Sequence, residues 1–280
     1  MKILVTGATG MLGRDVVRAA EFVNHEVVAL GHADLDITRP RAVRNVLTAE
    51  RPDAIINCAA YTNVDAAETD EARAAEINGA GAGIVAAEAA DVGAALVHPS
   101  TDYVFGGTKR TPYVESDATN PMSAYGRTKL SGEREIAAVN DRHYIVRSSW
   151  LFGAGGGNFV ETMLKLAGDL SQIVVVRDQI GSPTYTGHLA DALVRLLDQE
   201  SYGIHHISGS NECSWYEFAV EIFRQAGVDV SVFSCTIEEF PRPAPRPAYS
   251  VLGTERDYPI VLPDWQEGLA SYLTERAAIR

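Results

Sequence analysis

Two side chains in the segment Tyr125-Gly126-Arg127-Thr128-Lys129 could move a proton together. Four residues apart, after the turn-forming pair Asn120-Pro121, the phenol and the ammonium fall on one face of a helix. Carbonyl reduction by hydride leaves an alkoxide that needs a proton. A phenol of pKa about 10 is a poor donor unless a nearby cation stabilises its anion; Lys129 is placed to do so. A second group lies in Pro99-Ser100-Thr101-Asp102-Tyr103-Val104-Phe105, where hydroxyls and a carboxylate end an apolar run. Thr101 there can donate to a substrate carbonyl and polarise it, or can simply cap a turn.

A third group binds rather than reacts. Thr6-Gly7-Ala8-Thr9-Gly10-Met11-Leu12-Gly13 follows an apolar run and opens an amphipathic segment, with glycines spaced G-x-x-G-x-x-G. Such glycines permit a tight turn and let a pyrophosphate approach the backbone at a helix N-terminus. The run before and the helix after supply the context that a lone glycine motif lacks. The next apolar run ends at Leu30-Gly31-His32, without the carboxylate that would mark NAD by bonding its ribose. Arg14 could face a 2′-phosphate or be an exposed helix arginine, and Asp36-Ile37 could contact the adenine, so NADPH is slightly favoured over NADH. In Asn57-Cys58-Ala59-Ala60-Tyr61-Thr62, the alanine pair either lets a cofactor cross the strand ends or packs under a helix. Asn78 is open between a backbone-bonding role and none.

These groups need a sheet to hold them. Lys2–Thr6, Glu26–Leu30, Ala54–Ala60, Ala95–Thr101 and Tyr144–Ser148 read as strands with helix-length segments between them, which predicts an α/β, doubly wound parallel sheet of the Rossmann type. The runs are nearly continuous hydrophobics, as expected of a sheet covered on both faces. Beyond Trp150 the pattern loosens: a glycine-rich loop at Gly153–Gly157, a strand at Ile173–Val176, a helix at Leu189–Leu197, a strand at Gly203–Ile207, a helix from Ser214 and a last helix near Asp264–Arg276. Four prolines make Pro241–Pro247 a stiff loop. The expected division is a dinucleotide-binding domain over residues 1–150, joined by elements from about 170–210, and a small C-terminal lobe, mainly for substrate, over 151–280.

At 280 residues and 46% hydrophobic, the chain is long enough for a full core. A formal charge of −13 argues against a nucleic-acid partner, which needs clustered Lys and Arg. Cys58, Cys213 and Cys235 are widely spaced and odd in number, which predicts free thiols rather than disulfides or a zinc site. His205-His206 lies in an expected strand, where structural histidines are commoner than ligands. No leader pattern and no run of roughly 18 apolar residues is present, so a cytoplasmic protein without a membrane partner is expected.

The whole chain resembles the dTDP-4-dehydrorhamnose reductases, a family of extended short-chain dehydrogenases. The likeness runs through the glycine segment, Ala59-Ala60-Tyr61-Thr62, Ser100-Thr101-Asp102-Tyr103-Val104-Phe105, Tyr125-Gly126-Arg127-Thr128-Lys129, Ser149-Trp150 and Gly181-Ser182-Pro183-Thr184. It implies reduction of the 4-keto group of dTDP-4-dehydro-L-rhamnose by NADPH or NADH, in dTDP-rhamnose biosynthesis. By the same resemblance Tyr125 is the proton donor, Lys129 tunes it and holds the nicotinamide ribose, and Thr101 orients the carbonyl with Asp102 beside it. Trp150, a core aromatic on its own merits, packs on the sugar. Gly7, Gly10, Met11, Leu12 and Gly13 face the pyrophosphate, Asp36 and Ile37 the adenine, and Ala59, Ala60 and Tyr61 the middle of the cofactor.

Departures from the family pattern bear on substrate and assembly. Arg246-Pro247-Ala248-Tyr249-Ser250 carries tyrosine where relatives often have asparagine. Some members bridge a dimer through magnesium; a homodimer is compatible with this sequence, but only Asp15 stands at a comparable acidic position, so no metal is expected. Competing readings are an epimerase or dehydratase with tightly held NAD, another keto-sugar reductase, and a catalytically silent NADP-binding regulatory subunit. A dehydratase would carry a glutamate where Tyr103 follows Asp102.

Overall fold

The computed structural model describes residues 1–279. In chain order its strands are β1 (Lys2–Thr6), β2 (Glu26–Leu30), β3 (Ala54–Asn57), β4 (Ala95–Thr101), β5 (His143–Ser148), β6 (Leu151–Phe152), β7 (Gln172–Val176), β8 (Ile180–Gly181), β9 (Thr184–Tyr185), β10 (Gly203–His206), β11 (Cys213–Ser214) and β12 (Ser231–Cys235). The α-helices are α1 (Met11–Phe22), α2 (Pro40–Glu50), α3 (Val64–Ala67), α4 (Glu71–Ala75), α5 (Ala82–Val92), α6 (Ala124–Val139), α7 (Phe159–Asp169), α8 (Thr186–Leu196), α9 (Trp215–Ala226) and α10 (Trp265–Ile279). A π-helical stretch, Glu76–Gly81, joins α4 to α5.

Six strands pair in parallel in the order β10-β5-β4-β3-β1-β2. The continuous apolar runs are explained by burial on both faces. Ile3, Val5, Ile56, Val97 and Val146 pack with Val16 of α1 and Leu189 and Leu193 of α8. The alternate residues Leu4, Ile55, Leu96 and Ile145 pack with Val43 and Leu47 of α2, Val85 of α5 and Ile136 of α6. Side chains alternate along a strand, so each run serves two cores. The chain order reverses at β1, with β2 on one side and β3 on the other. A crevice opens at the carboxyl ends beside such a reversal, where open α/β sheets hold their ligands.

A third core gathers Phe152, Val160, Met163, Phe218, Ile222, Trp265, Leu269 and Tyr272, from α7, α9, α10 and neighbouring strands. Helix α9 starts at a reciprocal cap: Ser214 Oγ accepts from Glu217 N, and Glu217 accepts from Ser214 N at 2.7 Å.

Several boundaries differ from expectation. The third strand stops at Asn57 rather than Ala60, and a little further on the Asn78 side chain takes up both backbone groups of Tyr61. The strand expected at Ile173–Val176 begins at Gln172 and pairs with β12, outside the six-stranded sheet. The chain returns to that sheet through α8, packed on α1, and β10, paired with β5. Residues 241–247 form neither helix nor strand, in keeping with their prolines. Among the described residues no helix is long and apolar enough to cross a membrane.

Candidate active site

A cleft of about 670 Å³ opens over the carboxyl ends of β1, β3, β4 and β5. Gly7, Gly10, Met11, Leu12 and Gly13 all line it. Gly7 has φ +63° and no room for a side chain: a Cβ there would lie 2.6 Å from the Ala59 amide nitrogen. The tight turn keeps β1 and the β3 exit in contact while α1 begins at the cleft floor. Gly10, the N-cap of α1, offers no side chain to its first-turn amides, which leaves that positive helix end to the cleft.

Asp36 and Ile37 line one end of the cleft together with His32 and Arg73. Hydrogen bonds from the Thr38 hydroxyl (2.7 Å) and amide (3.0 Å) hold the Asp36 carboxyl below its usual range. Asp34, the other early carboxylate, accepts from the Gly31 amide at 2.8 Å. Arg14 does not line the cleft; its Nε donates to the Thr9 carbonyl at 2.9 Å. Ala59 and Ala60 line the middle of the cleft, but Tyr61 does not. Its backbone is clamped by Asn78, whose Oδ1 accepts from Tyr61 N (2.8 Å) and whose Nδ2 donates to Tyr61 O (3.0 Å). The Tyr61 ring packs in a small cluster with Ala67, Ala74, Ala124 and Tyr125. Asn78 Nδ2 also meets Thr128 Oγ1 at 3.2 Å, tying the β3 exit to α6, so the asparagine left open by the sequence has a structural role.

Helix α6 is capped by Ser123, whose Oγ accepts from Gly126 N at 3.1 Å, and this fixes where Tyr125 and Lys129 point. Both line the cleft, with Thr101 and Asp102. Thr101 does cap a turn, accepting from Tyr103 N at 3.2 Å, and its hydroxyl also donates to Asp102 Oδ1 at 3.0 Å. Asp102 is 1% exposed, and burial raises its carboxyl to about 6 against the pull of the Ser250 and Thr101 hydroxyls. The Tyr103 ring meets Tyr125 edge-on, 5.7 Å between centroids. The Tyr125 phenol is pushed up, first by burial and then by Asp102 and Tyr103, while Thr101 opposes the shift. The expectation that Lys129 lowers it is therefore corrected: Nζ donates to the Pro99 carbonyl at 2.7 Å and meets His98 Nε2 at 3.0 Å. Burial lowers the Lys129 amine to about 8, with Glu133 and Cys58 pulling the other way.

The far wall is assembled from distant segments. Trp150, at φ +49°, lines the cleft and stacks on Trp215 with 3.5 Å between centroids and 6° between planes. A Cβ on Gly181 would lie 2.5 Å from the Trp150 ring, which accounts for glycine in Gly181-Ser182-Pro183-Thr184. At the rim, Asp65 accepts from Arg242 (2.6 Å) and Arg246 (3.0 Å), so the proline-rich loop is tied to α3. Tyr249 donates to Glu212 at 2.8 Å. Sequence reasoning did not pick out Trp215, Arg73, Asp65 or His98. His98, a polar residue inside the apolar run Ala95–Thr101, carried a readable signal; Trp215 at the head of an amphipathic helix carried none.

His205 and His206 bond to backbone carbonyls, of Ser201 at 2.6 Å and of Tyr113 and Gly253 at 3.0 and 2.8 Å. Asp15 is 4% exposed and paired with Arg18 at 2.5 Å. Among the described residues no group of three or more His, Cys, Asp or Glu side chains could hold a metal ion.

A family model, the RmlD substrate binding domain, matches residues 1–278. The dTDP-4-dehydrorhamnose reductase of Mycolicibacterium smegmatis is 43% identical, over 96% of this chain and 84% of its own. A crystal structure of a dTDP-4-dehydrorhamnose reductase from Clostridium acetobutylicum superposes with a TM-score of 0.95 at 46% identity, covering 99% of this chain and 100% of that one. The Bacillus anthracis reductase, solved in complex with NADP, gives a TM-score of 0.95 at 39% identity over 98% of this chain and 99% of its own. With a family model spanning nearly its full length and relatives of this identity and coverage, the chain belongs to the RmlD substrate-binding-domain family.

Proposed function

We propose that this protein reduces the 4-keto group of a dTDP-linked 6-deoxysugar, dTDP-4-dehydro-L-rhamnose in the first instance, with NADPH. The observation that carries the reading is the convergence of Tyr125, Lys129, Thr101 and Asp102 on the same cleft as the glycine turn at the head of α1. The cleft fits a dinucleotide: the uncapped first turn of α1 suits a diphosphate, and Gly7 leaves the close approach to Ala59 that a side chain would block. Gly10, Met11, Leu12 and Gly13 would hold the diphosphate, Asp36 and Ile37 the adenine, and Ala59 and Ala60 the span between. Lys129 would take the nicotinamide ribose. NADPH is preferred to NADH in this reading because no carboxylate ends β2, Asp34 accepts from the Gly31 amide, and Arg73, paired with Glu76, stands on that wall with Asp36.

NADPH supplies the hydride when bound. The chain's own residues manage the proton and the carbonyl. Thr101 Oγ has one proton, which Asp102 Oδ1 accepts until a keto oxygen competes for it; turned to that oxygen it would draw electron density from the carbon that must accept hydride. Tyr125 would then give its phenolic proton to the oxygen as negative charge develops, with the Thr101 hydroxyl, which opposes the upward shift of the phenol, beside it. Asp102, fully buried, holds the Thr101 hydroxyl in place. Trp150, backed by Trp215, offers a flat apolar face to the sugar ring. Absence of the extra acid after Asp102 disfavours a dehydratase, and retention of all three reacting groups disfavours a silent subunit. The free thiols of Cys58, Cys213 and Cys235 accord with the cytoplasmic location that belongs to the same reading.

The test is turnover. Purified protein with NADPH should consume dTDP-4-dehydro-L-rhamnose, followed by loss of reduced-nicotinamide absorbance, and should prefer it to UDP- and GDP-linked keto sugars. No turnover with either nicotinamide would defeat the proposal.

A further inference from the structure

Lys129 is held from behind by a line of buried polar groups that the chemistry above does not use. Its Nζ lies 3.0 Å from His98 Nε2; His98 Nδ1 lies 3.2 Å from Asn57 Nδ2; and Asn57 Oδ1 accepts from Thr6 Oγ1 at 2.5 Å. Thr6, Asn57, His98 and Lys129 are each no more than 2% exposed. The line runs sideways through the sheet, one residue each from β1, β3 and β4, and ends on α6. Burying an imidazole and an amide in an apolar sheet is costly unless every polar atom is matched, so the proton pattern along this line is tightly constrained.

We propose that His98 is a positioning residue for Lys129, and that its tautomer, set through Asn57, determines whether the Lys129 amine carries a third proton; this rests on the reductase reading for its consequence in catalysis. An ammonium has donors only, so beside a charged Lys129 the Nε2 atom must present its lone pair. The ring proton then sits on Nδ1, and Asn57 must turn its carbonyl oxygen towards it. In the opposite arrangement Asn57 Nδ2 faces Nδ1, the ring proton sits on Nε2, and only a neutral amine can accept it. Passing from the second state to the first takes up one proton from solvent: Nζ goes from amine to ammonium as the ring proton moves from Nε2 to Nδ1 and the amide makes a half-turn. Thr6 Oγ1 can donate or accept and so suits both amide orientations.

The surroundings leave this choice finely placed. Acting on Lys129 are Glu133 on its own helix, Cys58 just beyond β3 and His98 on β4, while Tyr125 and Asp102 line the same cleft. Glu133 is already neutralised by Arg147 of β5 at 2.7 Å. Burial lowers the amine to about 8, and burial with Lys129 itself keeps His98 well below its ordinary range. The ring therefore stays neutral, and its tautomer is what varies.

The test uses the full chain labelled with 15N in histidine, titrated from about pH 6 to about pH 10, around the ordinary histidine and lysine ranges. The His98 signals should pass from the Nδ1–H to the Nε2–H tautomer with a midpoint near 8. In Asn57→Asp the carboxylate accepts only from Nδ1–H, so the switch should move up by a unit or more, and the alkaline limb of kcat with it. His98→Leu should lower kcat about tenfold through loss of Lys129 placement, and His98→Gln, which can reach the Nε2 position, should restore most of it. One unchanging tautomer across the range, or an Asn57→Asp limb that stays where it was, would overturn the proposal even if His98→Leu failed to fold. The spectrum needs no substrate, so a tautomer switch without keto-sugar turnover would uphold the line and defeat the reductase reading instead.

Discussion

The two walls of the cleft are built in opposite ways. The wall proposed for the cofactor comes from short, contiguous stretches: one turn at residues 7–13, the β3 exit at 57–60, and one helical turn carrying Tyr125 and Lys129. The wall proposed for the sugar is a patchwork. Trp150 rests on Trp215, is admitted by the bare Gly181, and stands near a rim where Asp65 holds Arg242 and Arg246 from a loop about 180 residues away in sequence. A contiguous wall is fixed by local turn and helix geometry, whereas a patchwork wall is fixed by packing. Changes on the first should therefore alter chemistry or cofactor, and changes on the second should alter the fit of the sugar.

The largest effect is expected at Tyr125. Tyr125→Phe should keep cofactor affinity and lose about a hundredfold or more in kcat, as removal of a general acid does; binding titration and steady-state kinetics on the same preparation check it. A near-normal rate would move the acid elsewhere. On the other wall, Gly181→Val would drive a methyl-bearing carbon into the Trp150 ring. An about tenfold rise in KM for the sugar nucleotide is expected, with cofactor affinity held and a stability loss of about 1–3 kcal/mol. Equal loss of cofactor affinity would show that the walls are not separable.

That division also marks what was legible in the sequence. The parallel sheet, the glycine turn and the Tyr125/Lys129 pair were readable because spacing alone decides them: continuous apolar runs, three glycines after a strand, two groups one helical turn apart. Tyr61 went astray because its sequence neighbours line the cleft, while a long-range clamp from Asn78 turns its ring into a separate cluster. The strand at 172–176 was expected to return to the main sheet, but pairing partners 59 residues apart, Gln172 with Ser231, are not encoded by either strand alone. Nothing near Trp215 announces Trp150. The sign of the Tyr125 shift was missed because burial is a property of the whole fold.

Two carboxylates, Asp102 beside the reacting hydroxyl of Thr101 and Asp65 at the rim of the sugar wall, sharpen the contrast through pH. The Asp102 carboxyl, raised to about 6 by burial, binds its proton more tightly in the folded chain than in the unfolded one. Its charged form is thus a burden that grows as pH rises from about 4 to about 6 and is complete above that, by up to about 3 kcal/mol. Denaturant titrations should show Asp102→Asn gaining stability on wild type over that interval. Asp65 behaves in the reverse sense. Burial works against it, but Arg246 and Arg242 hold it at about 2, so its contribution is present above the ordinary carboxylate pKa and fades as pH falls through about 2. The smallest effect belongs here: Asp65→Asn should cost about 1 kcal/mol at neutral pH and raise KM for the sugar nucleotide only a few-fold, read by melting curves and kinetics.

The central claim is that one cleft brings hydride, proton and keto sugar together. The most direct measurement is a single turnover of dTDP-4-dehydro-L-rhamnose with cofactor deuterated at the transferring position, followed by mass and NMR analysis of the sugar. One deuterium at C4 of the product, lost from the cofactor in equal amount and nearly abolished in Tyr125→Phe, is the predicted result. Cofactor bound in the cleft but left unoxidised, with no label on the sugar, would contradict it.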